Sequence, residues 1–138
     1  MWNHETQIRV RYGETDKMGY LYYGHYAEYL EVARVEMIRS IGLTYKDLED
    51  IHKVIMPVMS MEVHYYRPAY YDDLLTVKTV LTELPIKDFK YEFEIFNEAD
   101  ELLTKAKVKL CFVDSMTMKR IHTPEFLIEA VQHFFHGQ

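Results

Sequence analysis

From Ile55 to Phe112 the sequence switches between polar and apolar residues almost position by position, in four separate runs. Along "VIMPVMSMEVHYYRP", Ile55, Met59, Met61, Val63 and Tyr65 fall on one side, and Ser60, Glu62 and His64 on the other. Leu74 to Leu84 is rich in β-branched residues and threonine. "FKYEFEIF" alternates Phe89, Tyr91, Phe93 and Ile95 with Lys90, Glu92 and Glu94. "LLTKAKVKLCFV" sets Leu102, Ala106, Val108, Leu110 and Phe112 against Lys105, Lys107, Lys109 and Cys111. A period of two puts alternate side chains on opposite faces of a pleated strand, so each run reads as a strand with one buried and one wet face. The connections "YDD", "LPIKD" and "NEADE" are hairpin-sized, and antiparallel pairing is expected.

One interval breaks this rhythm. Between His25 and Ile41, residues Tyr26, Tyr29, Leu30, Ala33, Met37 and Ile41 recur every three or four positions. Glu28, Glu31, Arg34 and Glu36 lie mostly off that stripe, which predicts one long amphipathic helix. Gly42 stands where a left-handed cap is wanted. Thr44 with Asp47 predicts the start of a short second helix in "TYKDLEDI". Upstream, Gln7 to Arg11 reads as a first short strand. Downstream, Thr123 as N-cap and Pro124 as first helical residue predict a last helix, with Phe126, Leu127, Ala130, Val131 and Phe134 on one side. Strand, helix, four long strands and a short helix make an α+β layer architecture: a curved antiparallel sheet of about five strands around one long helix.

The chain of 138 residues, 49% hydrophobic and 28% charged, is expected to form a single domain over 1–138. A net charge of -6 argues against a nucleic-acid partner, because phosphate neutralisation supplies most of that affinity. The lone Cys111 leaves no disulfide within the chain. The N-terminal residues carry no apolar run of signal-peptide length, and no stretch approaches the roughly 18 apolar residues of a membrane span. A cytoplasmic location is expected.

The segment "RYGETDKMGYLYYGHYAEYLEVAR", Arg11 to Arg34, holds six of the 12 tyrosines; it opens with the carboxylates Glu14 and Asp16 and passes through Gly19 and Gly24 into the long helix. Taken alone, Asp16 in a glycine-flanked loop reads as a turn former or cap. Glu14 reads as a solvated loop residue and His25 as a helix-start residue.

The segment resembles the hotdog-fold thioesterases, in the branch of 4-hydroxybenzoyl-CoA thioesterase and the short-chain acyl-CoA thioesterases. The resemblance lies in the D-x-x-G form of Asp16 and Gly19, in Tyr22 and Tyr26, and in the helix tail "YLEVAR". "YYRPAYYDDLLTV" extends it to the second and third strands. It implies a thioester hydrolase acting on acyl-CoA, with no cofactor beyond the coenzyme A of the substrate. Asp16 matches the carboxylate that attacks the thioester or activates water. A carboxylate carries its charge at neutral pH and needs no base to activate it. Tyr23, with Gly24 beside it, matches the backbone amide that holds the oxyanion at the helix N-terminus. Gly19, Tyr20, Tyr22, His25, Tyr26 and Arg67 are the candidate substrate-binding residues. Many members place a His directly after the tyrosine that matches Tyr22. Here that position is Tyr23, so the imidazole's role is not carried over to His25. Glu28 and Glu31 are the fallback acids, since related hotdog enzymes use a helix glutamate.

The resemblance also implies a homodimer or tetramer, which open strand edges would accommodate. An acyl carrier protein is the alternative acyl donor, and a non-catalytic acyl-CoA binder is a third reading. Lys105, Lys107 and Lys109 share one strand face and are candidates for coenzyme A phosphates, against the plainer reading of a solvated face. Glu31 and Arg34 read as substrate or partner contacts, or as an i,i+3 ion pair. His133 and His136 lack a third ligand, so no metal site is expected. Ser60 and Ser115 lack the context of a serine nucleophile.

Overall fold

The four alternating runs pair into one antiparallel sheet except at their outer ends, where Ile55 and Phe112 fall in a second, smaller sheet. In the computed structural model, residues 1–136 are described. Strand β1 spans Trp2–Arg9, and helix α1 Tyr26–Arg39 follows it. Next come α2 (Tyr45–Asp50), β2 (Val54–Ile55), β3 (Val58–Tyr65) and β4 (Leu74–Leu81). The chain continues through β5 (Phe89–Phe96), β6 (Leu102–Leu110), β7 (Phe112–Asp114), β8 (Lys119–Ile121) and α3 (Glu125–Val131). The main sheet has the order β1-β4-β5-β6-β3, so β1 and β3 are its edges. The strands β2-β7-β8 form a separate smaller sheet, whose Val54 and Phe112 share the same core.

The predicted alternation sorts the two faces. Leu75, Val77, Phe89, Tyr91, Phe93, Ile95, Ala106, Val108 and Leu110 are buried, while Lys78, Lys90, Lys105 and Lys107 are exposed. Helix α1 packs on β1 and β4 and buries Tyr26, Tyr29, Leu30, Ala33, Arg34, Met37 and Ile38. Each fully buried aliphatic or aromatic side chain contributes about 1.5–3 kcal/mol. The helix ends as expected: Gly42 has φ +85 and its N–H donates to the Arg39 carbonyl at 2.9 Å. The Asp47 N–H donates to Thr44 Oγ1 at 3.0 Å, the predicted cap of α2.

Four expectations need correction. Strand β1 begins at Trp2 and ends at Arg9, rather than running from Gln7 to Arg11. Trp2 stacks on Phe134 at 5.0 Å, whereas polar His4 and Thr6 fill half-buried inner positions and mask the alternation. Helix α3 is capped by Pro124, one residue later than predicted, and the buried Thr123 hydroxyl has no hydrogen-bond partner among the described residues. Cys111 lies between β6 and β7 and is buried rather than on a wet face. The small sheet was not anticipated, because strands of two or three residues are too short to display a period.

Edge strand β3 departs from its apolar pattern. Met59, Met61 and Tyr65 share the helix-side face but remain 45%, 49% and 50% exposed, because no further strand lies beyond β3. No helix among the described residues is long and apolar enough to cross a membrane.

Candidate functional site

The loop between β1 and α1 folds back on itself. Thr15 bridges Leu21, Tyr20 bridges Tyr70, and the Leu21 N–H donates to the Ala69 carbonyl at 2.7 Å. Gly19 makes the reversal possible with φ +83, a left-handed conformation that costs glycine little. Its N–H donates to the Asp16 carbonyl at 2.9 Å. The Asp16 carboxylate is built into this turn. Oδ1 accepts from the N–H groups of Met18 at 2.9 Å and Tyr20 at 3.1 Å. Its second oxygen has no protein donor among the described residues. Asp16 is therefore a turn former whose side chain still has one oxygen available for chemistry.

A short 3-10 turn, Tyr23–His25, leads into α1. The Tyr22 N–H donates to the Glu14 carbonyl and the His25 N–H to the Tyr22 carbonyl, both at 2.9 Å. The amides of Tyr23 and Gly24 are the first donors of this turn, and such donors have no partner within it. A Cβ on Gly24 would stand 2.6 Å from Cε2 of the Tyr22 ring, so glycine is what lets that ring fold over the turn.

Glu14 is not the solvated residue expected from the sequence; it is only 6% exposed. Its Oε1 accepts from the Tyr29 hydroxyl at 2.6 Å and the Arg11 N–H at 3.0 Å. Its Oε2 accepts from the Arg11 guanidinium at 2.8 Å. Burial alone would raise the pKa of this carboxyl, but the Arg11 side chain, the Tyr29 hydroxyl and the Arg11 N–H reverse that and hold it down at about 2. Burial and the adjacent carboxylate push the Tyr29 phenol far up, so it remains a donor. Of the two readings of Glu31 and Arg34, the i,i+3 ion pair does not form among the described residues. Arg34 is buried beside Tyr45, whereas Glu31 points to solvent.

Asp16 lines a cleft of about 270 Å³. Tyr20, Tyr23, Tyr26 and Arg67 from the candidate set line it too. Tyr26 is buried and meets Tyr65 edge-on at 5.0 Å between ring centroids. Gly19, Tyr22, Gly24 and His25 do not line the cleft. Tyr22 packs on Tyr23 at 4.7 Å, and His25 Nδ1 lies 3.1 Å from Glu28 Oε1. Arg67 Nη1 pairs with Glu101 at 3.1 Å. Met18, Leu21, Tyr65, Tyr66 and Pro68 line the cleft outside the candidate set. The signal for the last three lay in the "YYRP" run that carries Arg67, where two aromatic residues meet the end of an edge strand.

Lys105, Lys107 and Lys109 do share the outer face of the sheet. There they meet Glu94 at 3.9 Å, Glu92 at 4.0 Å and Asp88 at 3.5 Å across the strands. Two larger hollows, about 620 and 650 Å³, lie over that charged face. Size does not make either of them the site: both are open hollows over the outer face, where Lys78, Lys105, Lys107 and Lys109 are paired with Glu5, Glu94, Glu92 and Asp88, while Glu83, Lys87 and Lys90 beside the second form no ion pair among the described residues. Among the described residues no three His, Cys, Asp or Glu side chains form a group able to hold a metal ion.

The geometry can be set beside known proteins. The family model of the thioesterase-like superfamily matches residues 10–131. Putative acyl-CoA thioesterase YneP of Bacillus subtilis is 34% identical over 117 residues, 85% of this chain and 84% of that protein. Acyl-CoA thioester hydrolase YbgC of Escherichia coli O157:H7 is 32% identical over 121 residues, 88% of this chain and 90% of that one. The solved structure of a DHNA-CoA thioesterase from Staphylococcus aureus superposes with a TM-score of 0.91 at 35% identity, covering 98% of this chain and 92% of that chain. The long helix cradled by a five-stranded antiparallel sheet is thus the hotdog fold, and the chain belongs to the thioesterase-like superfamily.

Proposed function

We propose that this protein hydrolyses acyl-CoA thioesters in the cytoplasm, with Asp16 as nucleophile or general base. The observation that carries this reading is the Asp16 carboxylate itself. One oxygen is pinned by two backbone N–H groups, and the residue lines a tyrosine-walled cleft at the entrance to α1. The names of YneP and YbgC support acyl-CoA as the substrate class.

The chemistry follows from the groups at hand. The free Asp16 oxygen attacks the thioester carbonyl, or takes a proton from a water that attacks it. The carbonyl oxygen gains negative charge, and the amides of Tyr23 and Gly24, without an acceptor among the described residues, are the donors offered to it. Collapse breaks the C–S bond, and the departing coenzyme A thiolate takes up a proton. In the covalent route a water then opens the acyl-aspartyl anhydride, so both routes consume one water and release acid and thiol. Coenzyme A enters as part of the substrate, and the chemistry asks for no metal. Tyr20 and Tyr26 bound the acyl group, with Tyr22 backing the Tyr23 ring from outside the cleft. Arg67, exposed beside the cleft, is the phosphate contact of this reading, and a phosphate would compete with Glu101 for it.

The active assembly is a homodimer, or a tetramer built from it. Edge strand β3 carries unpaired backbone groups and the exposed Met59, Met61 and Tyr65, and a second copy of β3 would cover them.

Free-thiol release from short-chain, long-chain and aromatic acyl-CoAs, by wild type and Asp16→Asn side by side, tests the reading. Loss of turnover in the variant at unchanged folding is the expected result. Retained turnover would move the chemistry to Glu28 or Glu31. Silence of the wild type on every acyl-CoA, with release from an acyl carrier protein, would change the substrate; silence on both would leave a binding protein.

A further inference from the structure

We infer that Glu14 and Tyr29 are positioning residues that hold the Asp16 carboxylate in its reactive place. The inference rests on the hydrolase reading above and adds to it a pair of residues outside the cleft.

Glu14 bonds in two directions at once. Its side chain accepts from Tyr29, four residues into α1, at 2.6 Å, and its main-chain carbonyl accepts from the Tyr22 N–H at 2.9 Å. The first bond fastens the start of the loop to the helix body. The second fastens the loop's far end, immediately before the turn that presents the Tyr23 amide. Asp16 lies two residues past Glu14, inside the span these two bonds close. Within that span Asp16 adds only local bonds, its N–H to the Tyr20 carbonyl at 2.8 Å and its Oδ1 to two amides of the same turn. Local bonds shape the turn; its place is set by the Glu14 bonds on the helix side and by the Leu21 bond to the Ala69 carbonyl on the other, and only the Glu14 bonds reach the helix.

A carboxylate suits this task better than an apolar anchor. Both Glu14 oxygens are engaged, by Tyr29 and by the Arg11 backbone and guanidinium, so the group is fixed in direction as well as depth. It is 6% exposed, which keeps water from competing for these bonds. A displacement of about 1 Å at a reacting group costs on the order of a hundredfold in rate. Loosening this joint is therefore read in turnover before it is read in binding.

The test is acyl-CoA hydrolysis by wild type, Tyr29→Phe, Glu14→Gln, Asp16→Asn and the Asp16→Asn/Glu14→Gln double variant, each below its own melting temperature. Tyr29→Phe removes a single hydroxyl and decides the matter if Glu14→Gln does not fold. The expected result is a kcat lowered about tenfold to a hundredfold in both single joint variants, with KM within about threefold of wild type. In the Asp16→Asn background the same Glu14→Gln change should cost less than about threefold, because no carboxylate remains to be placed. Wild-type kcat in Tyr29→Phe and Glu14→Gln overturns the inference while leaving the hydrolase reading intact. An equal loss in both backgrounds also overturns it and reduces Glu14 to a fold-stabilising residue. A wild type silent on every acyl-CoA overturns the hydrolase reading and the inference with it.

Discussion

Replacing Glu14 with glutamine should make this protein less stable at neutral pH but not at pH 2. The carboxyl is held at about 2 in the folded chain, against an ordinary value of 4.5. A folded-state pKa below the unfolded one means that the native state favours the charged form. That stability is fully present above about pH 5 and is lost as the pH falls through the interval toward 2. At about 1.4 kcal/mol per pH unit, the interval corresponds to roughly 3 kcal/mol. Glutamine can still accept from Tyr29 and the Arg11 N–H, but its amide donors would face the Arg11 guanidinium, so most of the increment disappears. For 138 residues the unfolding entropy is about 0.3 kcal/mol per kelvin, so the melting temperature should drop by roughly 10 °C at pH 7. Thermal unfolding followed by circular dichroism between pH 7 and pH 2, at one protein concentration, measures this directly. The two melting curves should converge as the pH approaches 2, since all other titrating groups are common to both proteins. A gap of under about 2 °C at pH 7, or one that stays constant down to pH 2, would refute the reasoning.

Other perturbations have separate signatures. Asp16→Asn keeps an Oδ1 to accept from Met18 and Tyr20, so its melting temperature should stay within about 2 °C of wild type while thiol release falls at least a hundredfold. Gly19→Ala forces a Cβ into φ +83 with no steric neighbour within 4 Å, so the cost is backbone strain alone, about 1–2 kcal/mol. Calorimetry should show it as a melting temperature lower by about 3–7 °C, and an unchanged one would mean the turn had reorganised. Met61→Lys puts a charge on the exposed helix-side face of β3. Sedimentation velocity should show a shift from dimer toward monomer, and an undisturbed dimer would place the interface elsewhere.

Much of this architecture was legible because it depends on local spacing. Phe89, Tyr91, Phe93 and Ile95 need only alternate with charged neighbours to define a strand and its buried face. Tyr26, Tyr29, Leu30, Ala33 and Met37 need only the helical period to define a stripe. The Asp16–Gly19 spacing signalled a turn, and Gly19 adopts the positive φ that such a turn asks for. Strand β1 was legible only in part, since His4 and Thr6 occupy inner positions that apolar residues would have announced.

The sequence by itself determined the elements and the chemical types gathered at the mouth of α1, because periodicity and turn preference are properties of neighbouring residues. Only the tertiary structure decided which charges are matched. Glu14 and Asp16 are both loop carboxylates two positions apart. One is buried against Tyr29, fifteen residues away, and the other lines the cleft. The same holds for the apolar side chains of β3. Met59 and Met61 follow the pattern of a buried strand face and yet remain half exposed, because the place of a strand in the sheet order, edge or centre, is set by pairing between distant segments. Burial of a charge or exposure of a methionine depends on what the fold brings alongside it, and no local window of sequence contains that neighbour.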